Sequence, residues 1–507
     1  MKKILLSLKD IRQIKAAGIS PAGVEKQLAA YRQGAGCLKL NRHCSVGDGI
    51  IFVSPGQRKK LIDLYESEAG GHKLIKFVPA SGAASRMFSG WFSASEKGGF
   101  GSAELNRKFF RDLQKLPFFP LIAGSKAGGK LLKRKDVKGL LEFILGKDGL
   151  NYGNLPKALI PFHRYPEGVL RTPLAEHLAE ATGYAADAAG NVNLHFTLSA
   201  EHRPAVTKYL QEIFAGYENV YREKYNITLS DQSASTNTIT VDANNQPLRD
   251  AKGRLVFRPG GHGTLLKNIN DLDADLIFVR NIDNIAPEAL SRKAVPFRKM
   301  LGGMALRIQK ENFAFLRALE EEKTNSLRID EIVRYCADVL YIKFPRGFIR
   351  LSGKEKSRIV FSLLNRPLRI CGMVKNDGEP GGGPFWVEEK NGAQTLQIVE
   401  SGHVDRKNSG QQSIWLQAQY FNPVDMVCCI RNYRGKKFVL DKYVDKDAYL
   451  ITTKNEKGKT FKALEMPGLW NGGMAYWNTV FVELPLTVFN PVKTVYDLLR
   501  PEHITTF

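Results

Sequence analysis

The stretch RPGGHGTLLKNINDLDADLIFVRNIDNI, residues 258–285, decides how the chain is read. Two glycines and His262 open it, and apolar residues at helical spacing follow in TLLKNINDL. ADLIFV then reads as a buried strand, which ends on Asn281-Ile282-Asp283-Asn284. One helix and one strand fill the 20 residues between Gly263 and Asp283.

Working outward, the same unit recurs. KLIKFVPA (73–80), NVNLHFTLSA (191–200) and ITLSDQS (227–233) read as strands. SPGQRKKLIDLYESEAGG (54–71, with Ser54 as N-cap), TPLAEHLAEATGYAADAAG (172–190) and RPAVTKYLQEIFAGYENVYREKY (203–225) read as helices. This alternation predicts an α/β fold with a mostly parallel central sheet covered by helices on both faces. The expected division is a helical N-terminal extension over 1–72, an α/β half over 73–350 and an α+β half over 351–507. A helical insertion over 89–155 interrupts the α/β half, and a further helix is expected over 311–323.

Composition narrows the function without choosing it. The formal charge of +23, from 74 Lys+Arg against 51 Asp+Glu, attracts polyanions of any kind. The densest basic run, SKAGGKLLKRKDVKG (125–139), lacks the interleaved aromatics on which bases stack, which argues against nucleic acid as the partner. No window approaches the ~18 apolar residues of a membrane span. The first residues read as an amphipathic helix, not a secretory signal, and the six cysteines form no Cys-x-x-Cys pair. A cytoplasmic location is expected, with no membrane partner.

In parallel sheets, ligands sit at the carboxyl ends of strands. Here those ends carry the polar residues. Asp283, between two asparagines, suits a hard divalent cation held over a phosphate; an aspartate there also commonly caps a following turn, here NIAPEA. PGGHG (259–263) lets backbone amides approach a ligand, or is a glycine turn at a helix start. VPASGAASRMF (78–88) offers loop amides to a triphosphate and Arg86 to neutralise it, or marks a close strand–helix crossing. Lys157 in LPKAL and Lys493 in FNPVKTVYDLL each follow a proline that fixes the turn, although a lone lysine is ordinarily solvated surface.

In order along the chain, VPASGAASRM, LPKAL, RPGGHG, FVRNIDNI and VFNPVKTVYDLL resemble the motifs of the UDP-sugar pyrophosphorylases, nucleotidyltransferases of the glycosyltransferase-A type of fold. The chain is also similar to a bacterial family of unknown function grouped with that fold. The resemblance covers roughly residues 73–499 and is most specific in its downstream half.

It implies a Mg²⁺-dependent transfer of a nucleotidyl group from a nucleoside triphosphate, UTP first, to a sugar 1-phosphate. The 73–350 half then binds nucleotide and the 351–507 half binds sugar. Ala80, Ser81, Gly82 and Ala83, with Arg86, take the triphosphate, and Lys157 takes its α-phosphate region. Gln232 reads the base, with Gly261, His262 and Gly263 beside it. Asp283 and Asp425 are the metal ligands, Glu400 and Asn422 hold the sugar, and Lys493 neutralises its phosphate. The first loop departs from the family, with Ala80, Ser81, Ala83 and Ala84 where Gly and Thr are preferred. The alternative is therefore a catalytically silent sugar-nucleotide-binding protein of the same fold.

Overall fold

A computed structural model describes residues 6–321, 326–345, 347–378, 381–389, 392–456 and 459–505. It is a mixed α/β fold with many helices, in which most neighbouring strands of the larger sheet pair in parallel. Among the described residues no helix is long and apolar enough to cross a membrane.

The chain divides into two compact units, each assembled from three separate segments, whereas the sequence division was consecutive. The first unit comprises 1–65, 232–277 and 300–485; the second comprises 66–231, 278–299 and 486–507.

In the second unit the strand Leu74–Pro79 pairs in parallel with Asn191–Leu198, which pairs in parallel with Lys224–Asp231. The strand Leu276–Arg280, buried at all five positions, enters this unit at Phe278. The helix Pro173–Ala181 is also buried along its whole length, with Thr172 as its N-cap. The 89–155 segment is helical as expected, with helices Ser89–Glu96, Ala103–Leu113, Phe119–Ala123, Lys126–Arg134 and Val137–Leu145. Ser102, Ser125 and Asp136 cap three of them. Their apolar faces meet around Phe88, Trp91, Phe109 and Phe118, with Trp91 edge-on to Phe109 at 5.4 Å.

Val492, Val495 and Leu498 belong to that same core. Trp91 Nε1 donates to the Tyr496 hydroxyl (3.1 Å), and the Val495 amide donates to the Met87 carbonyl (3.1 Å). The insertion therefore anchors the late segment that carries Lys493.

Among the described residues of the first unit, strands fall into three groups. Residues 45–46, 49–51, 478–483, 368–375 and 425–429 follow one another in the largest, parallel except for the last pair. Residues 39–43, 383–388 and 394–399 form an antiparallel three-stranded sheet. Residues 257–259, 237–241, 459–465 and 450–456 form a four-stranded one.

The helices Leu8–Ala16 and Pro21–Gln33 pack on this last sheet, through Ile14, Val24, Leu28 and Tyr31 against Ile239, Val241 and Leu464. The Asp10 carboxylate takes both terminal nitrogens of Arg249, at 2.8 and 2.9 Å. The N-terminal residues are thus integral to the unit, and 39–51 supply three strands where the reading above expected helices.

One buried polar cluster organises the second unit. The Glu180 carboxylate accepts from Lys76 Nζ (2.6 Å), the Tyr184 hydroxyl (2.9 Å) and Ser291 Oγ (3.0 Å). It also pairs with Arg298 (3.0 Å) and Arg280 (3.5 Å). Burial opposes its ionisation, but three surrounding cations outweigh that and hold its pKa well below the ordinary value. Removing this carboxylate leaves buried cations uncompensated. Glu180→Ala is expected to lower unfolding free energy by about 3 kcal/mol, read from denaturant melts.

Candidate functional site

In the second unit, the loop after Leu74–Pro79 is tied down at both ends. The Ala80 amide donates to the Thr197 carbonyl (2.9 Å) and the Ala84 amide to the Leu155 carbonyl (3.1 Å). Ser199 Oγ donates to the Ser81 carbonyl (3.1 Å), and the Lys157 amide to the Gly82 carbonyl (3.1 Å). Gly82 and Lys157, separated in sequence by the helical insertion, are therefore hydrogen-bonded neighbours.

Between the ties, the amides of Ser81, Gly82 and Ala83 make no hydrogen bond among the described residues. Gly82 and Ala83 are exposed. Three successive amides of that kind are donors available to an anion. A Cβ on Gly82 would meet nothing, so glycine is not sterically required there. Arg86 is exposed at the end of the Ala84–Arg86 turn, with no ion pair among the described residues.

Asp283 is linked to this loop through Lys157, whose amide bonds the Gly82 carbonyl. Its Oδ2 accepts from Lys157 Nζ (3.0 Å) and from Lys493 Nζ (3.1 Å). Lys157 is buried and also donates to the Val492 carbonyl (2.9 Å). Lys493 is half-exposed. The carboxylate makes no bond to the turn after it, so the turn-cap role does not apply.

The backbone around Asp283 is clamped from two directions. On one side, the Val492 amide donates to the Asp283 carbonyl (2.9 Å), and the Asn490 amide donates to Asn284 Oδ1 (2.9 Å). On the other, His177 Nε2 meets the Ile282 carbonyl (3.3 Å) and Arg280 Nη2 donates to the Asn284 carbonyl (2.7 Å). His177 and Arg280 belong to the cluster around Glu180. A capping box joining Thr494 and Asp497, whose Oδ2 also accepts the Lys493 amide (2.8 Å), fixes the lysine's own backbone.

Burial works against ionisation of Asp283, but the Lys157 and Lys493 ammoniums outweigh it and hold its pKa below the ordinary 3.8. Its Oδ1 takes no hydrogen bond among the described residues. Among those residues no group of three or more His, Cys, Asp or Glu is placed to hold a metal ion. A cation here would meet the Asp283 carboxylate and the phosphates of a ligand, a mode in which Mg²⁺ is commonly held.

In the first unit a second group of residues assembles around the Gly-Gly-His-Gly turn. Gln232 Nε2 donates to Thr264 Oγ1 (2.7 Å) and to the Gly261 carbonyl (3.4 Å). Gly261 has φ +76, and a Cβ on Gly263 would overlap the Pro467 carbonyl. These glycines therefore have conformational and packing reasons of their own.

His262 stacks on Trp470, with ring centroids 4.4 Å apart. Its Nδ1 accepts the Leu469 amide (3.0 Å), which places the ring proton on Nε2, 3.5 Å from Glu400 Oε1. Burial opposes ionisation of Glu400, but hydrogen bonding from His262 leads the influences that hold its pKa below the ordinary 4.5, Asn471 adding to it. Asn422 is buried: its amide donates to the Gly382 carbonyl (2.8 Å), and its Nδ2 has no partner among the described residues. Asp425 is buried at the start of the strand Asp425–Cys429.

Trp470 and Asn471 were not singled out in the sequence. The only signal available was the Pro-Gly turn at 467–468.

The model of the family described as "Domain of unknown function (DUF4301)" matches residues 7–504, and the chain belongs to that family. No curated protein matches it. Among solved structures it is similar to a mutant UDP-glucose pyrophosphorylase from Leishmania major in complex with UDP-glucose. That match has 11% identity over 98% of this chain and 79% of that one, with a TM-score of 0.45. A UDP-glucose phosphorylase from Trypanosoma brucei matches at 13% identity over 97% and 77%, with a TM-score of 0.45. A putative UDP-N-acetylglucosamine pyrophosphorylase from Entamoeba histolytica matches at 13% over 88% and 82%, with a TM-score of 0.42.

The Asp283 geometry generates a pH test. A carboxyl held below its ordinary value contributes stability that is full above that value and is lost as pH falls through the lowered one. Wild type should exceed Asp283→Asn in unfolding free energy by about 2 kcal/mol at neutral pH, and the gap should close only in acid below about pH 4. Chemical denaturation of both proteins across that range checks it.

Proposed function

We propose that this member of the family is a nucleotidyltransferase that forms a nucleotide sugar and pyrophosphate from a nucleoside triphosphate, UTP first, and a sugar 1-phosphate. The observation that carries the reading is the meeting of Lys157 and Lys493 on one Asp283 oxygen, next to a loop with three free amides.

A phosphate oxygen of the sugar 1-phosphate attacks the α-phosphorus of the triphosphate. The bond from that phosphorus to the bridging oxygen breaks, and pyrophosphate leaves with the electron pair. The nucleophile is already anionic, so no proton is removed and no general base is required. The chain's own task is alignment and charge neutralisation. Ser81, Gly82 and Ala83 offer amides to the triphosphate, with Arg86 beside them, Lys157 neutralises its α-phosphate region, and Lys493 takes the sugar phosphate. Gln232 reads the base, and Glu400 with Asn422 holds the sugar.

Asp283, through its unbonded Oδ1, is the residue that would hold Mg²⁺ here. When bound, the cation supplies charge neutralisation across the phosphates.

A second reading, binding without turnover, has one observation of its own. Ala80 is fully buried and its amide is committed to Thr197, so the cradle begins one residue late.

Pyrophosphate release from a panel of nucleoside triphosphates and sugar 1-phosphates, with Mg²⁺, separates the two. The enzyme reading expects release that needs both substrates and falls about 10²–10³-fold in Asp283→Ala, Lys157→Ala and Lys493→Ala. Nucleotide or sugar-nucleotide binding with no release across the panel overturns it in favour of the second reading.

A further inference from the structure

Arg369 is a fully buried guanidinium on the strand Leu368–Lys375, in register with Cys428 on one side and Thr479 on the other. Its Nε donates to Thr479 Oγ1 (2.8 Å) and its Nη1 to the Trp470 carbonyl (2.7 Å). Nη2 has no hydrogen-bond partner among the described residues, and no carboxylate there pairs with the charge. A buried cation without a counter-ion disfavours folding, which offsets the two hydrogen bonds lost when an apolar side chain of similar length replaces it.

What the guanidinium holds is the 467–471 loop, and that loop grips His262 on three sides. The Leu469 amide donates to Nδ1, the Trp470 ring stacks on the imidazole, and Gly468 lies so close that a Cβ would overlap the ring. From the same loop, Asn471 Nδ2 donates to the Ile398 carbonyl (3.1 Å), two residues before Glu400. With Nδ1 accepting, the proton sits on Nε2 and faces Glu400.

We propose that Arg369 is a positioning residue for the Glu400 site. Its bond to the Trp470 carbonyl fixes the loop, the loop fixes the His262 ring with Nδ1 accepting and Nε2 towards Glu400, and that ring orients Glu400 as the acceptor for a hydroxyl of a sugar phosphate. The inference rests on the reading of Glu400 as that acceptor.

The test uses the full chain with Arg369→Met, Arg369→Lys and, as control, Thr479→Val. Three readouts are needed: denaturant unfolding, the ¹⁵N signals of the His262 ring (assigned with His262→Gln), and the KM for sugar 1-phosphate against that for the nucleoside triphosphate. Arg369→Met is expected to fold with an unfolding midpoint close to that of wild type. Its His262 ring should lose the fixed Nε2–H signature, and the KM for sugar 1-phosphate should rise about tenfold while that for the triphosphate holds.

Arg369→Lys keeps a donor within reach of the carbonyl and should retain the signature, as should Thr479→Val. An unchanged His262 signature in Arg369→Met overturns the proposal. So does failure of that variant to fold, because a purely structural arginine predicts it. The ring signals need no turnover, so an inactive wild type would sink the proposed reaction while leaving the role of Arg369 separately decided.

Discussion

One carboxylate oxygen with two ammoniums on it is the constraint from which the candidate site follows. Asp283 Oδ2 gathers a lysine from 126 residues upstream and another from 210 residues downstream. Two like charges so close together repel unless an anion lies between them, so the carboxylate is what makes their convergence possible. The arrangement keeps a net positive charge beside a loop with open amides. An incoming phosphate or a hard cation can shift that balance with only small movements of side chains.

Holding a partly buried carboxylate in place needs support beneath it, and the second unit supplies that from an internal polar cluster. His177 and Arg280 bond the carbonyls on either side of Asp283, and both lie in the field of Glu180. The late segment is fixed separately, by the capping box at Thr494 and by the aromatic core of the insertion. The insertion, which in sequence separates the first loop from Lys157, is thus what anchors the segment bearing Lys493.

Much of this was legible in the sequence, and the reasons for the rest are physical. Apolar runs ending in polar residues marked the strand ends, and the order of motifs singled out Lys157, Asp283 and Lys493. Whether Asp283 caps its own turn or leaves it for two lysines depends on closure over long stretches of chain, which local spacing does not encode. Residues 39–51 escaped because their strands are short and only partly buried. The helix Glu288–Glu320 was seen only in part, over its last turns; it carries Pro296 and Gly302-Gly303, which ordinarily interrupt helices. Gly303 is required there because the Leu61 carbonyl packs against it. Arg369, Trp470 and Asn471 act through backbone carbonyls and ring stacking, which leave no pattern in residue spacing.

The central claim is that Lys157 and Lys493, assembled by Asp283, form a site for linked phosphates. Calorimetric titration of inorganic pyrophosphate, with Mg²⁺, into wild type, Lys157→Ala and Lys493→Ala tests it without requiring any knowledge of the sugar or base. The account predicts saturable binding to wild type that weakens about tenfold or more in each variant. Equal affinity in all three proteins, or no binding to wild type, would contradict it.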